Sequence, residues 1–121
     1  IGMVRDPVFG PVLMFGLGGI FVEVLNDVAF RAVPLTRDEA ESMLRQLRGH
    51  KLLHGVRGLP RVDEARLVDL LLQVADFVRA YPEISELDLN PVIVHERDYT
   101  IADARFLLNP NTLPFEGEEG G

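Results

Sequence analysis

With 121 residues, 47% of them hydrophobic, and a net charge of −7, the chain is the size of one compact domain, or of one piece of a larger protein, and can build a core. It has no cysteine and no tryptophan, which excludes a disulfide framework and a thiolate metal site, and its acidic balance argues against a broad nucleic-acid surface. The longest apolar run, Val12 to Leu25, is broken by glycines and Glu23, short of the roughly 20 clean residues of a membrane span.

No signal segment opens the chain, so a cytoplasmic protein without membrane or nucleic-acid partners is expected. Ile1 begins it inside a strand-like stretch, Gly2 to Arg5, as an excerpt of a longer polypeptide would. Asp6-Pro7 is a turn-initiating pair, and strand character resumes over Pro11 to Phe15, which predicts a hairpin. Gly16-Leu-Gly-Gly19 interrupts. It precedes the strand-like Ile20 to Leu25 rather than a helix, so a structural turn or bulge fits it better than a phosphate loop.

Glu23 lies between Val22 and Val24, and a carboxylate there must face solvent, an arginine or a metal site. After a turn at Asn26-Asp27, Val28 to Val33 alternates as another strand and carries Arg31 on the face of Ala29 and Val33. Arg5 and Arg31 are two cations that either reach a phosphate or neutralise Glu23, ion pairing within a sheet being the commoner use.

Thr36-Arg-Asp-Glu39 has the form of a capping box, opening a helix with Ala40, Met43, Leu44 and Leu47 on one face and an end near Gly49. His50 to Gly58 is a loop whose histidines, His50 and His54, lack a nearby third ligand and read as polar loop residues. A second helix, about Asp63 to Ala80, has a broad apolar face suited to lying on a sheet, and Pro82 stops it.

Glu86 to Phe106 forms two strands joined by a tight polar connection, His95-Glu96-Arg97-Asp98. Period-two alternation puts Glu86, Asp88 and Asn90 on one side and Leu87, Leu89 and Ile93 on the other. With the turn centred between Glu96 and Arg97, Asn90 falls opposite Asp103, and two oxygen-bearing side chains so opposed suit one Mg²⁺ that keeps water and phosphate as its other ligands. Pro91 biases Asn90 toward extended backbone. On spacing alone, a surface hairpin with its acids in water accounts for the same pattern more simply. The tail, residues 109–121, is acidic and rich in Pro and Gly and is expected to be flexible. The order of elements predicts an α+β fold, an antiparallel sheet with two helices packed on one face.

Arg5 to Arg31 (with Asp6-Pro-Val-Phe-Gly-Pro11 and Gly18-Gly19 inside it), Leu53 to Gly58, Glu86-Leu-Asp-Leu-Asn-Pro91 and Ile101-Ala-Asp-Ala-Arg105 together resemble the C-terminal half of the ATP-grasp domain of NDP-forming acyl-CoA synthetases. That family includes ADP-forming acetate–CoA ligases and, more distantly, the succinyl-CoA synthetase beta subunit. The resemblance spans residues 2–106, making 1–108 an ATP-grasp C-terminal subdomain, and its ordered blocks tip the hairpin toward metal binding. It implies Mg²⁺ with ATP, a phosphohistidine outside this chain, and CoA and an acyl substrate bound by other domains of the same synthetase.

Asn90 and Asp103 align with the relative's magnesium ligands, Asp88 stands where it has a glutamate, and Glu23 matches a recurring acid. Arg5, Glu23 and Arg31 are the nucleotide-phosphate candidates. His50, His54 and His95 match no nucleophile motif, so no catalytic residue is expected here and the chain alone should not turn over. A sheet face uncovered by the missing half would favour dimerisation. Two other readings fit a degraded version of the pattern: a synthetase-like regulatory region of a protein lysine acetyltransferase, and a non-catalytic interaction domain.

Overall fold

The computed structural model describes residues 1–17, 27–50 and 63–109. Among these are seven strands, β1 (Gly2–Asp6), β2 (Gly10–Gly16), β3 (Val28–Ala32), β4 (Ile84–Leu89), β5 (Val92–Val94), β6 (Tyr99–Ile101) and β7 (Ala104–Leu108), and two helices, α1 (Arg37–Gln46) and α2 (Glu64–Ala80). An antiparallel five-stranded sheet runs β3-β2-β1-β4-β7, and β5-β6 form a separate two-stranded sheet. This is the expected α+β architecture.

The core lies between the five-stranded sheet and the helices. Met3, Leu13, Ala29 and Leu87 are buried on the sheet side, facing Met43 and Leu44 of α1 and Leu67, Leu71 and Val78 of α2. Met3, Leu13 and Leu87 occupy successive strands in register, so one rung of the ladder carries much of the core. Alternation sends Val4, Phe30 and Leu107 to the opposite face, where they remain exposed.

The expected capping box forms, and two further local signals act beside it. Gly10, at φ 76°, closes the β1–β2 hairpin in a conformation that favours glycine. Thr36 accepts from the Glu39 amide at 3.1 Å while the Glu39 carboxylate accepts from the Thr36 amide at 2.8 Å, completing the capping box. Asp63 caps α2 through the Ala65 amide.

Two local expectations are corrected. The first helix ends at Gln46 with extended Leu47 as its C-cap, not on a left-handed glycine at Gly49. What holds the following turn is Asp27, whose two carboxylate oxygens each accept a backbone N–H, from Arg48 and Gly49, both at 2.7 Å. Asp27 is 5% exposed, the buried charged residue of the described core. Gly16 also serves this corner: a Cβ there would lie 3.0 Å from the Asp27 carbonyl oxygen, so the two backbones approach closely.

The second correction concerns the long hairpin, which divides into β4–β7 within the large sheet and β5–β6 outside it. Its register is continuous nonetheless: partner numbers sum to the same constant from Glu86–Leu107 through Val94–Tyr99. A bulge between Ile84 and Glu86 resets the pleat, so that Ile84 and Leu87 both face the core, and the Ser85 hydroxyl there donates to the Leu107 carbonyl at 3.0 Å. The ladder's far end is tied by the Asn109 amide to the Glu83 carbonyl at 2.7 Å.

Candidate functional site

Where the hairpin leaves the large sheet, Asn90 and Asp103 face each other across the two strands. The Asn90 N–H donates to the Asp103 carbonyl at 3.1 Å, and the Ala102 N–H donates to the Pro91 carbonyl at 3.0 Å. The Asn90–Pro91 peptide is cis. Both residues are exposed. The regular ladder breaks between Leu89–Ala104 and Val92–Ile101, and within that gap these two hydrogen bonds keep Asn90 level with Asp103.

The donors are an amide oxygen and a carboxylate, both hard. Among the described residues no group of three or more His, Asp or Glu side chains could hold a metal by itself. Two protein oxygens with open surroundings fit a Mg²⁺ whose remaining ligands are water and phosphate, and do not fit an all-protein cage.

Asp88, two residues before Asn90, is exposed, and its direct partner is Arg105 rather than Asp103. A single row therefore crosses the open face in register: Phe30, Met14, Gly2, Asp88, Arg105. Within it lies a depression of about 510 Å³ lined by Val4, Met14, Glu86, Asp88, Arg105 and Leu107. A cavity of about 170 Å³ at the strand ends is bounded by Ile1, Phe15, Leu17, Leu67, Leu89 and Asn90.

The two candidate phosphate arginines are placed elsewhere. Arg5 projects from the core-facing side of β1, and its guanidinium donates to the carbonyls of Ile84 (2.6 Å), Val78 (2.8 Å) and Tyr81 (3.2 Å). The Val78 and Tyr81 carbonyls lie at the C-terminal end of α2, where the dipole is negative and helical partners run out, and the Ile84 carbonyl opens β4. The strand position level with Arg5 is about five residues from Asn90, roughly 16 Å at the usual rise per residue. Arg31 turns toward α1, donating to the Ser42 hydroxyl and the Gln46 side-chain oxygen, each at 2.8 Å, and to the Phe30 carbonyl at 2.7 Å. Glu23 and His54 lie outside the described residues, so neither arginine's relation to Glu23 is described.

His50 sits 2.9 Å from a Glu64 carboxylate oxygen and braces the start of α2. His95 is 3.1 Å from the Thr100 hydroxyl within the β5–β6 hairpin, while Arg66 of α2 donates to the Arg97 carbonyl at that hairpin's turn (3.2 Å). The element bearing Asn90 and Asp103 is thus pinned at its tip as well as its base. Sequence reasoning overlooked Arg105, although the register that pairs Asn90 with Asp103 also pairs Asp88 with Arg105.

Comparison with known proteins adds ancestry to this geometry. A family model described as an ATP-grasp domain matches residues 1–108. An ADP-forming acetate–CoA ligase of Archaeoglobus fulgidus is 48% identical over 108 residues, 89% of this chain and 16% of that protein. The beta subunit of an ADP-forming acetate–CoA ligase of Pyrococcus furiosus is 44% identical over 89% of this chain and 47% of its own length. Among solved structures, acetyl-coenzyme A synthetase 1 of Ca. Korarchaeum cryptofilum superposes with a TM-score of 0.84 at 46% identity, covering 88% of this chain and 50% of that one. That synthetase was solved in complex with coenzyme A and Mg-AMPPCP, its phosphohistidine segment pointing towards the nucleotide binding site. The chain thus spans about half or less of the length of these relatives. Among the described residues no helix is long and apolar enough to cross a membrane.

Proposed function

The chain belongs to the ATP-grasp domain family, and on that premise we propose that residues 1–108 are the C-terminal, magnesium-nucleotide-binding half of the domain in an ADP-forming acyl-CoA ligase. The observation that carries the reading is the pairing of Asn90 with Asp103 across the ladder, in a fold shared with a synthetase solved with Mg-AMPPCP. In this reading the amide oxygen of Asn90 and the carboxylate of Asp103 hold Mg²⁺, which supplies charge neutralisation to the phosphate chain. The hairpin's anchors at Arg66 and in the β4–β7 ladder keep the two donors at a set separation, so little ordering remains to be done when nucleotide arrives.

The phosphoryl group passes to a histidine on another part of the protein, and CoA and the acyl group bind there too. The remainder of the synthetase, ATP, CoA and an acyl substrate are accordingly the partners, and the cytoplasm is the compartment; the expected acidic tail falls, from residue 110 on, outside the described residues. The chain by itself does not turn over.

Calorimetry on the full-length protein, with ADP or ATP and with or without magnesium, tests this. Asn90→Ala and Asp103→Ala are each expected to abolish the magnesium-dependent part of binding while leaving thermal stability near wild type. Unchanged magnesium dependence in both variants refutes the assignment, and acyl-CoA formation by the 121-residue chain alone refutes the division of labour.

A further inference from the structure

Among the described arginines, Arg5, Arg31, Arg37 and Arg66 donate hydrogen bonds within the fold, to main-chain carbonyls, to Ser42 and Gln46, to Asp69 and to the Arg97 carbonyl. Arg105 is exposed, and its side chain, like those of Arg45, Arg48, Arg79 and Arg97, makes no hydrogen bond or ion pair among the described residues; of the described arginines it is the one that lines the depression on the open face. It lies directly opposite Asp88 and two residues after Asp103.

The row in which it stands is divided. Phe30 and Met14 make one half apolar, Asp88 and Arg105 make the other charged, and Gly2 between them carries no side chain. A Cβ on Gly2 would come within 2.8 Å of the Met14 terminal methyl, so the missing side chain leaves room for Met14 to lie across the floor.

We infer that Arg105 contacts the phosphate chain of the bound nucleotide. This rests on the magnesium-nucleotide reading above. A guanidinium recognises phosphate with two parallel donors, and those of Arg105 are not taken up by the described residues. The role falls to Arg105 because the other two candidates, Arg5 and Arg31, are committed to α2 and α1.

The test is calorimetry on the full-length protein with three probes: adenosine, Mg-ADP and inorganic triphosphate without magnesium. Arg105→Ala is expected to weaken Mg-ADP and triphosphate by about tenfold or more, to leave adenosine unchanged, and to flatten the salt dependence of binding. Arg105→Lys recovers part of the loss.

Binding of both phosphate probes within twofold of wild type in Arg105→Ala overturns the inference, and so does an equal loss for adenosine, which would mark a structural effect. The parent reading fails separately, through Asn90→Ala and Asp103→Ala, while metal-free triphosphate still reports on Arg105.

Discussion

Replacing Arg5 with methionine separates two uses of a buried-stem arginine, and the structure commits to one of them. Methionine keeps most of the apolar stem and deletes the guanidinium that serves the carbonyls of Val78, Tyr81 and Ile84. Hydrogen bonds to a charged donor contribute roughly 1.5–3 kcal/mol, and a cation at a helix C-terminus adds about 0.3–1 kcal/mol. Because one side chain serves all three acceptors, and the Tyr81 carbonyl can turn to water, these contributions do not simply add. A loss of about 2–4 kcal/mol is expected, a large share of a typical domain's roughly 5–15 kcal/mol. Urea denaturation at neutral pH should show the midpoint falling with little change in slope, since no large surface becomes exposed in the native state. Nucleotide affinity, measured where the variant is still folded, should be within about twofold of wild type. A variant that keeps its stability and loses phosphate binding would refute the assignment and make Arg5 a nucleotide ligand after all.

Asp27→Ala should be similarly costly, about 2–4 kcal/mol, because it strands the amides of Arg48 and Gly49 beside a residue 5% exposed; chemical denaturation measures it. Glu39 yields a pH prediction. Hydrogen bonds from the Thr36 amide and hydroxyl hold its carboxyl below the ordinary value of 4.5. A folded-state pKa lower than the unfolded one adds stability that is fully present above the ordinary value and is lost as pH falls through the folded value. The stability difference between wild type and Glu39→Gln should therefore be constant near neutrality and shrink below about pH 4.5 in an acid titration of urea midpoints.

Local signals were legible because they act over a few residues. The capping box, the apolar faces of α1 and α2, and the strands among the described residues follow from spacing alone, and each is found within a few residues of its expected place. The pairing of Asn90 with Asp103 belongs here too. A short turn at His95 to Asp98, closed by the His95 amide on the Asp98 carbonyl at 2.8 Å, sets the register of everything N- and C-terminal to it. The same reasoning carried through to Arg105 would have paired it with Asp88.

Destinations of long side chains were not legible. Arg5 finds carbonyls 73 to 79 residues away, Arg31 finds a helix 11 to 15 residues on, and Asp27 caps a turn 21 and 22 residues later. Before folding, nothing in the residues flanking Arg5 distinguishes an arginine that will meet phosphate from one that will meet a helix end, because both partners present oxygens to the same fork of donors.

The amino-acid sequence by itself determined the elements, the hairpin register and the family, through interactions whose geometry is set by neighbours along the chain. Tertiary structure alone decided the strand order that seats β1 between β2 and β4, and with it which arginine is spent on the fold and which stands over the open face. Those outcomes depend on which distant groups compete for one guanidinium, and that competition exists only once the sheet has closed against its helices.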